Sequence, residues 1–562
     1  MTPDNCIGFL CFIALEPDGD KFFGFAEFLA GLALMVLAWT LADVRYKFRI
    51  DVAPLSLKKI TFWVVTFTGF ATLLTDLWRA EGWYVPAGEF ISPAIWQAIL
   101  GAGFLLTFLV WAWYAFISPP IYGPRNCLAY GQTLYRAILN GAEAELDVIT
   151  DELGYSAISL ISFATEYSRF PPDAPVADTE AELPIVSKLA NEILMLMGDK
   201  RFCRSMVRHS TKTALIIFSE IEKQKKYRLR IQPFCQNFSS EAVSYRDSFL
   251  YHETSGYESG LIGHIKPLSR AIYSNYPLVE VQDDLLDMDF RTQEDWDSEQ
   301  WSAYCRIVLM TFADYINRGW GGHSVVLHRA RGRIGSIANE LYKLDGVDAL
   351  SYRDDINGKL RLVLSFISDS VELMKDKNLP SDFQLKRKKP RDLRFETIYD
   401  HLADLIFEVL CQASQVRSPR GTSWWVQHNT VWTHFFGSMN QMSSDAGKII
   451  KHKVRRLIYD EVTDLLKFHN FRAARLLGLC LNVMGLNLNS RSKDRDFFAL
   501  HAALLSLTKK HFSKLHTTNP TLAAECLVTD ITFDQAHLQL VKTYPTYSGM
   551  GAPTTVSFTV DP

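Results

Sequence analysis

Apolar residues run continuously through three stretches of the first 118 residues. Phe22–Ala42, Ile60–Trp78 and Ala94–Ile117 are separated by short polar loops. Each is near or above the ~20 residues needed to cross a bilayer's hydrocarbon core. The pattern therefore predicts three transmembrane helices within residues 22–118. Cys6–Leu15 is apolar but too short to span. Asp4, Glu16, Asp18 and Asp20 make residues 1–21 an acidic leader. A cleaved signal peptide would carry a basic n-region instead, so the first run reads as a retained helix.

Beyond the third run the pattern changes. Pro119, Pro120, Gly123 and Pro124 break the helix, a helical pattern follows over Leu128–Glu152, and residues 171–184 read as an acidic linker. Residues 119–184 thus form a juxtamembrane helix and linker. KTALIIFSEIE, KYRLRIQPF, SFLYHET and YPLVEV, all within 212–285, are short, rich in β-branched and aromatic residues, and bounded by turn residues. They predict strands, and a small α+β sensor-like domain over 185–347. From 348 to 515 apolar residues recur every three and four positions, predicting a helical bundle. Residues 516–562 end in a Pro/Gly/Thr-rich, extended tail. The expected fold is a membrane protein with three N-terminal transmembrane α-helices and a large, mainly α-helical cytoplasmic region with a small α+β part.

Charge gives the runs an orientation. Arg45, Lys47, Arg49, Lys58 and Lys59 face a single Asp51 in the first loop; the second holds Arg79 against Glu81 and Glu89. The positive-inside rule places the first loop in the cytoplasm, the N-terminus outside, and everything after Pro119 inside. The expected location is the inner (plasma) membrane, multi-pass. A whole-chain net charge of −3 gives no polyelectrolyte field, and no stable DNA binding is expected. The nine cysteines are scattered without CxxC spacing, which supports neither a zinc ribbon nor a redox motif. Cys6 and Cys11 fall on the oxidising side, where a disulfide between them is one option.

The second run carries a polar stripe. Thr61, Thr68, Thr72 and Thr75 fall within about 60° of one helical face. Asp76 sits at its edge, and Glu27 lies at a similar depth on the first run. One reading is the lining and acidic mouth of a cation-preferring pore. The other is helix packing, with threonines bonding their own backbone and small residues such as Gly69 and Ala71 allowing close approach. Three helices from one chain cannot enclose a wide channel, so a pore implies a homo-oligomer in membrane lipid.

Two basic segments are candidate anion sites. In Arg318–Arg333 (RGWGGHSVVLHRARGR), Gly321 and Gly322 allow backbone N–H groups to approach a phosphate, with His323, His328, Arg329, Arg331 and Arg333 beside them. Lys200, Arg201, Arg204 and Arg208 fall largely on one helical side. A nucleotide or oligonucleotide signal fits either; a solvated basic face is the plainer reading of both. KRKKPRDLR (386–394) is a further basic run. The motif scan gives no HExxH, GxSxG, Walker A sequence or paired zinc ligands. The acidic stretch Glu280–Asp289 does not match an EF-hand. No catalytic residue, metal or cofactor is expected.

A short N-terminal membrane bundle followed by a large cytoplasmic sensor resembles bacterial phage-defence effectors that disrupt the inner membrane. The resemblance lies in the order of parts, rests on no shared motif and transfers no residue. It implies an oligomeric effector whose cytoplasmic domain senses a signal and gates a pore or perturbs the membrane. The alternatives are a membrane-tethered enzyme with an unrecognised site, or a membrane-anchored scaffold.

Overall fold

A computed structural model describes residues 5–7, 10–14, 21–41, 43–87, 93–167, 183–253, 267–288, 295–348, 354–375, 377, 396–437, 441–465, 470–488, 495–528, 530–544 and 553–562. They form two compact units, Met1–Glu241 and Ala242–Pro562.

The first unit contains the apolar runs. The first becomes α1 (Phe25–Leu41), followed by α2 (Val44–Asp51) in the basic loop. The second is α3 (Leu57–Ala80); the third is α4 (Pro93–Ala112), prolonged by a π-helical turn to Ile117. Among the described residues two helices are long and apolar enough to cross a membrane, Leu57–Ala80 and Ala94–Ile117, each of 24 residues. The third expected span is not confirmed. The 17 residues of α1 extend only about 26 Å at 1.5 Å per residue, short of the ~30 Å core. On α3, Phe62, Trp63, Phe67, Phe70, Leu73 and Leu77 are 50–69% exposed. A soluble core helix would bury such side chains; lipid accommodates them.

Close packing fixes α1 against its neighbours. A Cβ on Gly69 would lie 2.8 Å from the buried Phe28 ring, and one on Gly31 would lie 2.9 Å from Phe104. These glycines are flat places where rings seat. Gly69→Val is expected to destabilise the α1–α3 pair by about 1–3 kcal/mol through overpacking. Unfolding of the detergent-solubilised protein measures this, and an unchanged midpoint would refute the contact. A small antiparallel sheet joins the leader to the second loop: β1 (Asn5–Ile7) pairs β2 (Leu10–Ala14), which pairs β3 (Tyr84–Ala87). Its register sets Cys6 directly opposite Cys11.

The unit continues with α5 (Cys127–Asn140) and α6 (Glu143–Phe163), then helices over Ile185–Leu196, Lys200–His209, Thr211–Gln224 and Gln232–Ser244. The strands expected over 212–285 are therefore corrected. KTALIIFSEIE is helical because Ala214, Ile217, Phe218 and Ile221, all buried, recur at three and four. That spacing outweighs its isoleucine content. In the second unit SFLYHET holds the helix Phe249–Glu253, and YPLVEV forms Tyr276–Val281, capped by the Asn275 side chain on the Leu278 N–H. KYRLRIQPF contributes no strand among the described residues.

The second unit is otherwise helical. Its longer members are Ser298–Asn317, Asp355–Met374, Ile398–Ala413, Asp445–Asp464 and Arg495–Thr518. Its sheet lies in the tail: β4 (Ile531–Asp534), β5 (Gln539–Tyr544) and β6 (Thr554–Thr559), antiparallel in that order. The acidic linker, mostly, and the run Lys386–Lys389 with Arg391 and Arg394 lie outside the described residues.

Candidate functional site

The polar stripe of α3 meets its own chain. Thr68 and Thr72 are 3% and 1% exposed. Thr72 Oγ1 donates to the Thr68 and Gly69 carbonyls at 2.9 and 3.0 Å, and Thr75 Oγ1 to the Ala71 carbonyl at 2.6 Å. Thr61 instead borders an apolar cavity with Met35, Trp39, Phe62 and Trp111. The two carboxylates converge on the start of α1. Asp76 Oδ2 accepts from the Phe25 N–H at 3.0 Å and Glu27 Oε2 from the Gly24 N–H at 2.9 Å. Both satisfy N–H groups that the helix start leaves without partners. Lys21 Nζ lies 3.7 Å from Asp76.

A second polar centre sits where the apolar helices meet α6. Arg49 on α2 is 6% exposed and Glu152 on α6 4%. Arg49 Nε and Nη2 bind the two Glu152 oxygens at 2.7 and 2.8 Å, a bidentate pair. Its Nη1 donates to the Ala115 carbonyl at 2.9 Å, in the last turn of the third run. Arg45 reaches Asp151 at 3.1 Å and Glu152 at 3.3 Å. One guanidinium thus ties together the basic loop, the end of the third apolar run and α6.

The segment 318–333 opens the helix Val325–Ser336 in the second unit. Ser324 caps it, accepting from the Leu327 N–H at 3.2 Å, and is fixed by the Tyr276 hydroxyl at 2.8 Å. Gly321 and Gly322 precede the cap, and the Gly321 carbonyl accepts from the Ile398 N–H at 3.1 Å. That bond brings the start of the helix Ile398–Ala413 alongside. A capping box of Thr397 and Asp400 holds the same helix start. The result is a cluster no motif announces: His323, His328, Glu396 and His401, with one potential ligand atom from each within 4.8 Å of the others. His323 Nδ1 lies 3.0 Å from His401 Nε2. Glu396 Oε2 lies 3.9 Å from the former atom and 3.7 Å from the latter.

Burial, then the Arg331 charge, pushes the His323 imidazole below its ordinary range; the same causes push the deeply buried His401 well below it. Both rings are held neutral. Arg331 Nη1 donates to the His401 carbonyl at 3.3 Å and lies 3.7 Å from Asp404. Arg331 and Asp404 also line a polar cavity of about 360 Å³ with Ser336, Asn339, Glu408 and Arg472.

Apart from Lys200, the remaining sequence candidates are paired to acids or carbonyls. Arg329 binds Asp283 at 2.7 Å and Arg333 binds Asp287 at 2.6 Å, so the acidic stretch neutralises the outer face of the arginine segment. In the first unit Arg204 lies 3.5 Å from Glu143, Arg208 lies 3.0 Å from Glu241, and Arg201 donates to the Gly141 carbonyl. Lys200 is exposed. Within the second unit the structure brings His323, His328 and Arg331 together. Glu396 and His401 were not selectable as ligands from a motif; the one signal in sequence is spacing, because His323/His328 and Glu396/His401 are each five residues apart. No protein-family model, curated protein or solved structure matches this chain.

Proposed function

We propose that this chain is a membrane effector whose soluble helices act on its membrane helices. Leu57–Ala80 and Ala94–Ile117 cross the inner membrane, α1 packs beside them, the N-terminus is outside, and everything after Pro119 is cytoplasmic. The working state is a homo-oligomer. Sensing an anionic signal, a nucleotide or oligonucleotide, opens a pore or perturbs the bilayer, in the manner of phage-defence effectors.

The observation that carries this reading is the Arg49 clamp. A passive anchor needs only a flexible tether. Here a buried guanidinium joins α6 to the last turn of a membrane helix, so a displacement of α6 is transmitted rather than absorbed. Such coupling requires physically continuous contacts with more than one arrangement. The polar cavity beside Arg331 and Arg472 is the candidate sensor pocket. It also favours the second reading, a membrane-tethered enzyme, because polar groups converge there.

Reconstitution of the full chain into vesicles tests the proposal. Ion flux is expected on adding a nucleotide or short oligonucleotide, from an assembly larger than one chain, and Asp76→Asn is expected to weaken cation preference. Absence of flux with every such ligand, together with a monomeric state, would sink the effector reading; turnover of the ligand without flux would favour the enzyme.

A further inference from the structure

We propose that His323, His328, Glu396 and His401 bind one divalent transition-metal ion of the zinc class, which fastens the starts of the helices Val325–Ser336 and Ile398–Ala413 to each other. The inference is independent of the membrane reading and concerns residues within the second unit alone.

Distance is the first argument. A tetrahedral ion with bonds of about 2.0–2.1 Å spaces its ligand atoms about 3.4 Å apart. The atoms His323 Nδ1, His401 Nε2 and Glu396 Oε2 form a triangle with sides of 3.0, 3.7 and 3.9 Å. That is close to one face of such a tetrahedron. His328 supplies the fourth corner, with its ligand atom inside the same 4.8 Å envelope.

Chemistry is the second. Three imidazoles and a carboxylate suit zinc and its neighbours; calcium and magnesium prefer all-oxygen sets, and the set contains no thiolate to select copper(I). Four protein ligands leave no open position, which marks a structural rather than hydrolytic centre.

Support of the ligands is the third. His323 adjoins the Ser324 cap, whose hydroxyl is fixed by Tyr276. Glu396 and His401 flank the Thr397–Asp400 capping box, and Asp400 is held by the buried Lys453. The Ile398–Gly321 bond sets the distance between the two ligand pairs. The same residues without an ion would form a plain His323–His401 hydrogen bond beside a carboxylate, which is the arrangement the test must separate.

Full-length protein in detergent is loaded with Zn²⁺, dialysed and assayed for bound metal, and a parallel sample is loaded with Co²⁺ and examined for the intense visible bands of a four-coordinate ion. One equivalent of metal per chain and those bands are expected. Glu396→Gln and His323→Ala are each expected to weaken Zn²⁺ by about 100-fold or more, since losing even an outer-shell partner costs 10–100-fold. Far-UV circular dichroism confirms that each variant is folded; His323, nearer the surface than His401, gives the safer substitution. Folded wild-type protein that retains no Zn²⁺ and shows no Co²⁺ bands overturns the proposal. So does Zn²⁺ retained equally by wild type and both variants.

Discussion

Glu152→Ala is expected to destabilise the first unit by about 3–5 kcal/mol, the range for breaking a buried ion pair by removing one partner. The loss is large because of what remains. Arg49 would keep the Ala115 carbonyl but lose two charge-assisted bonds in a site with almost no access to water. Arg45, which also reaches Glu152, would face Arg49 without the intervening carboxylate. Arg49→Met should cost less, since Arg45 still partners Glu152. The double variant Arg49→Met/Glu152→Leu should recover much of the loss, because two apolar groups of similar volume leave no buried charge. The measurement is denaturant unfolding in detergent followed by tryptophan fluorescence. A Glu152→Ala loss below about 1 kcal/mol would show that the pair is solvated. The same variants separate stability from function. If the clamp transmits a signal, the double variant should fold yet lose ligand-dependent flux.

How far the sequence alone reached depends on the distance over which each feature is encoded. Apolar runs are local, so the apolar helices between Phe22 and Ile117 were legible, and among the described residues two of them are long and apolar enough to cross a membrane. Helical periodicity is also local, and the bundle beyond residue 348 follows from it. Over 212–224 residue type and spacing point in opposite directions, and spacing prevails. Ile216, Ile217 and Ile221 suggest a strand by composition, but Ala214, Ile217, Phe218 and Ile221 are buried on one helical face. The true sheet of the second unit lies at 531–559, where β5 buries Leu540 and Lys542 in alternation.

Partnerships encoded at long range were not legible. The arginines at 329 and 333 read as an open anion site because their acidic partners lie 46 residues upstream in each case. His323 and His401 lie 78 residues apart and meet where the Ile398 N–H bonds the Gly321 carbonyl. The threonines of α3 were legible as a stripe, but that Thr72 and Thr75 bond carbonyls of their own helix was not settled by it. Composition and periodicity specify elements; they do not specify which charged or polar side chains find each other.

Lys542 gives the second large effect, and its sign is fixed by burial. The residue lies on β5 and is 1% exposed. Its ammonium donates to the Asn482 carbonyl and lies 5.3 Å from the Trp424 ring and 5.0 Å from that of Tyr544. Burial pulls it down from 10.5 to about 8, with Asp530 partly opposing and Arg420 adding to the fall. The unfolded chain therefore binds more protons than the folded one between about pH 8 and 10.5, and stability contributed by this group rises with pH across that window. Below pH 8 both states are protonated and the full penalty is present, on the order of 3 kcal/mol at 1.36 kcal/mol per pKa unit. Lys542→Met removes the penalty and also the bond to Asn482, whose buried carbonyl then loses about 1–3 kcal/mol. The two changes nearly offset each other at pH 7, so the absolute stability of the variant is a poor readout. The difference between the two proteins is a good one: wild type should gain about 3 kcal/mol on the variant between pH 8 and 10.5, while titrations common to both cancel. Unfolding curves followed through Trp424, which lies against the lysine, measure it. Parallel pH profiles would mean that the ammonium is solvated in the folded protein, and that the aromatic rings and the Asn482 carbonyl do not hold it away from water.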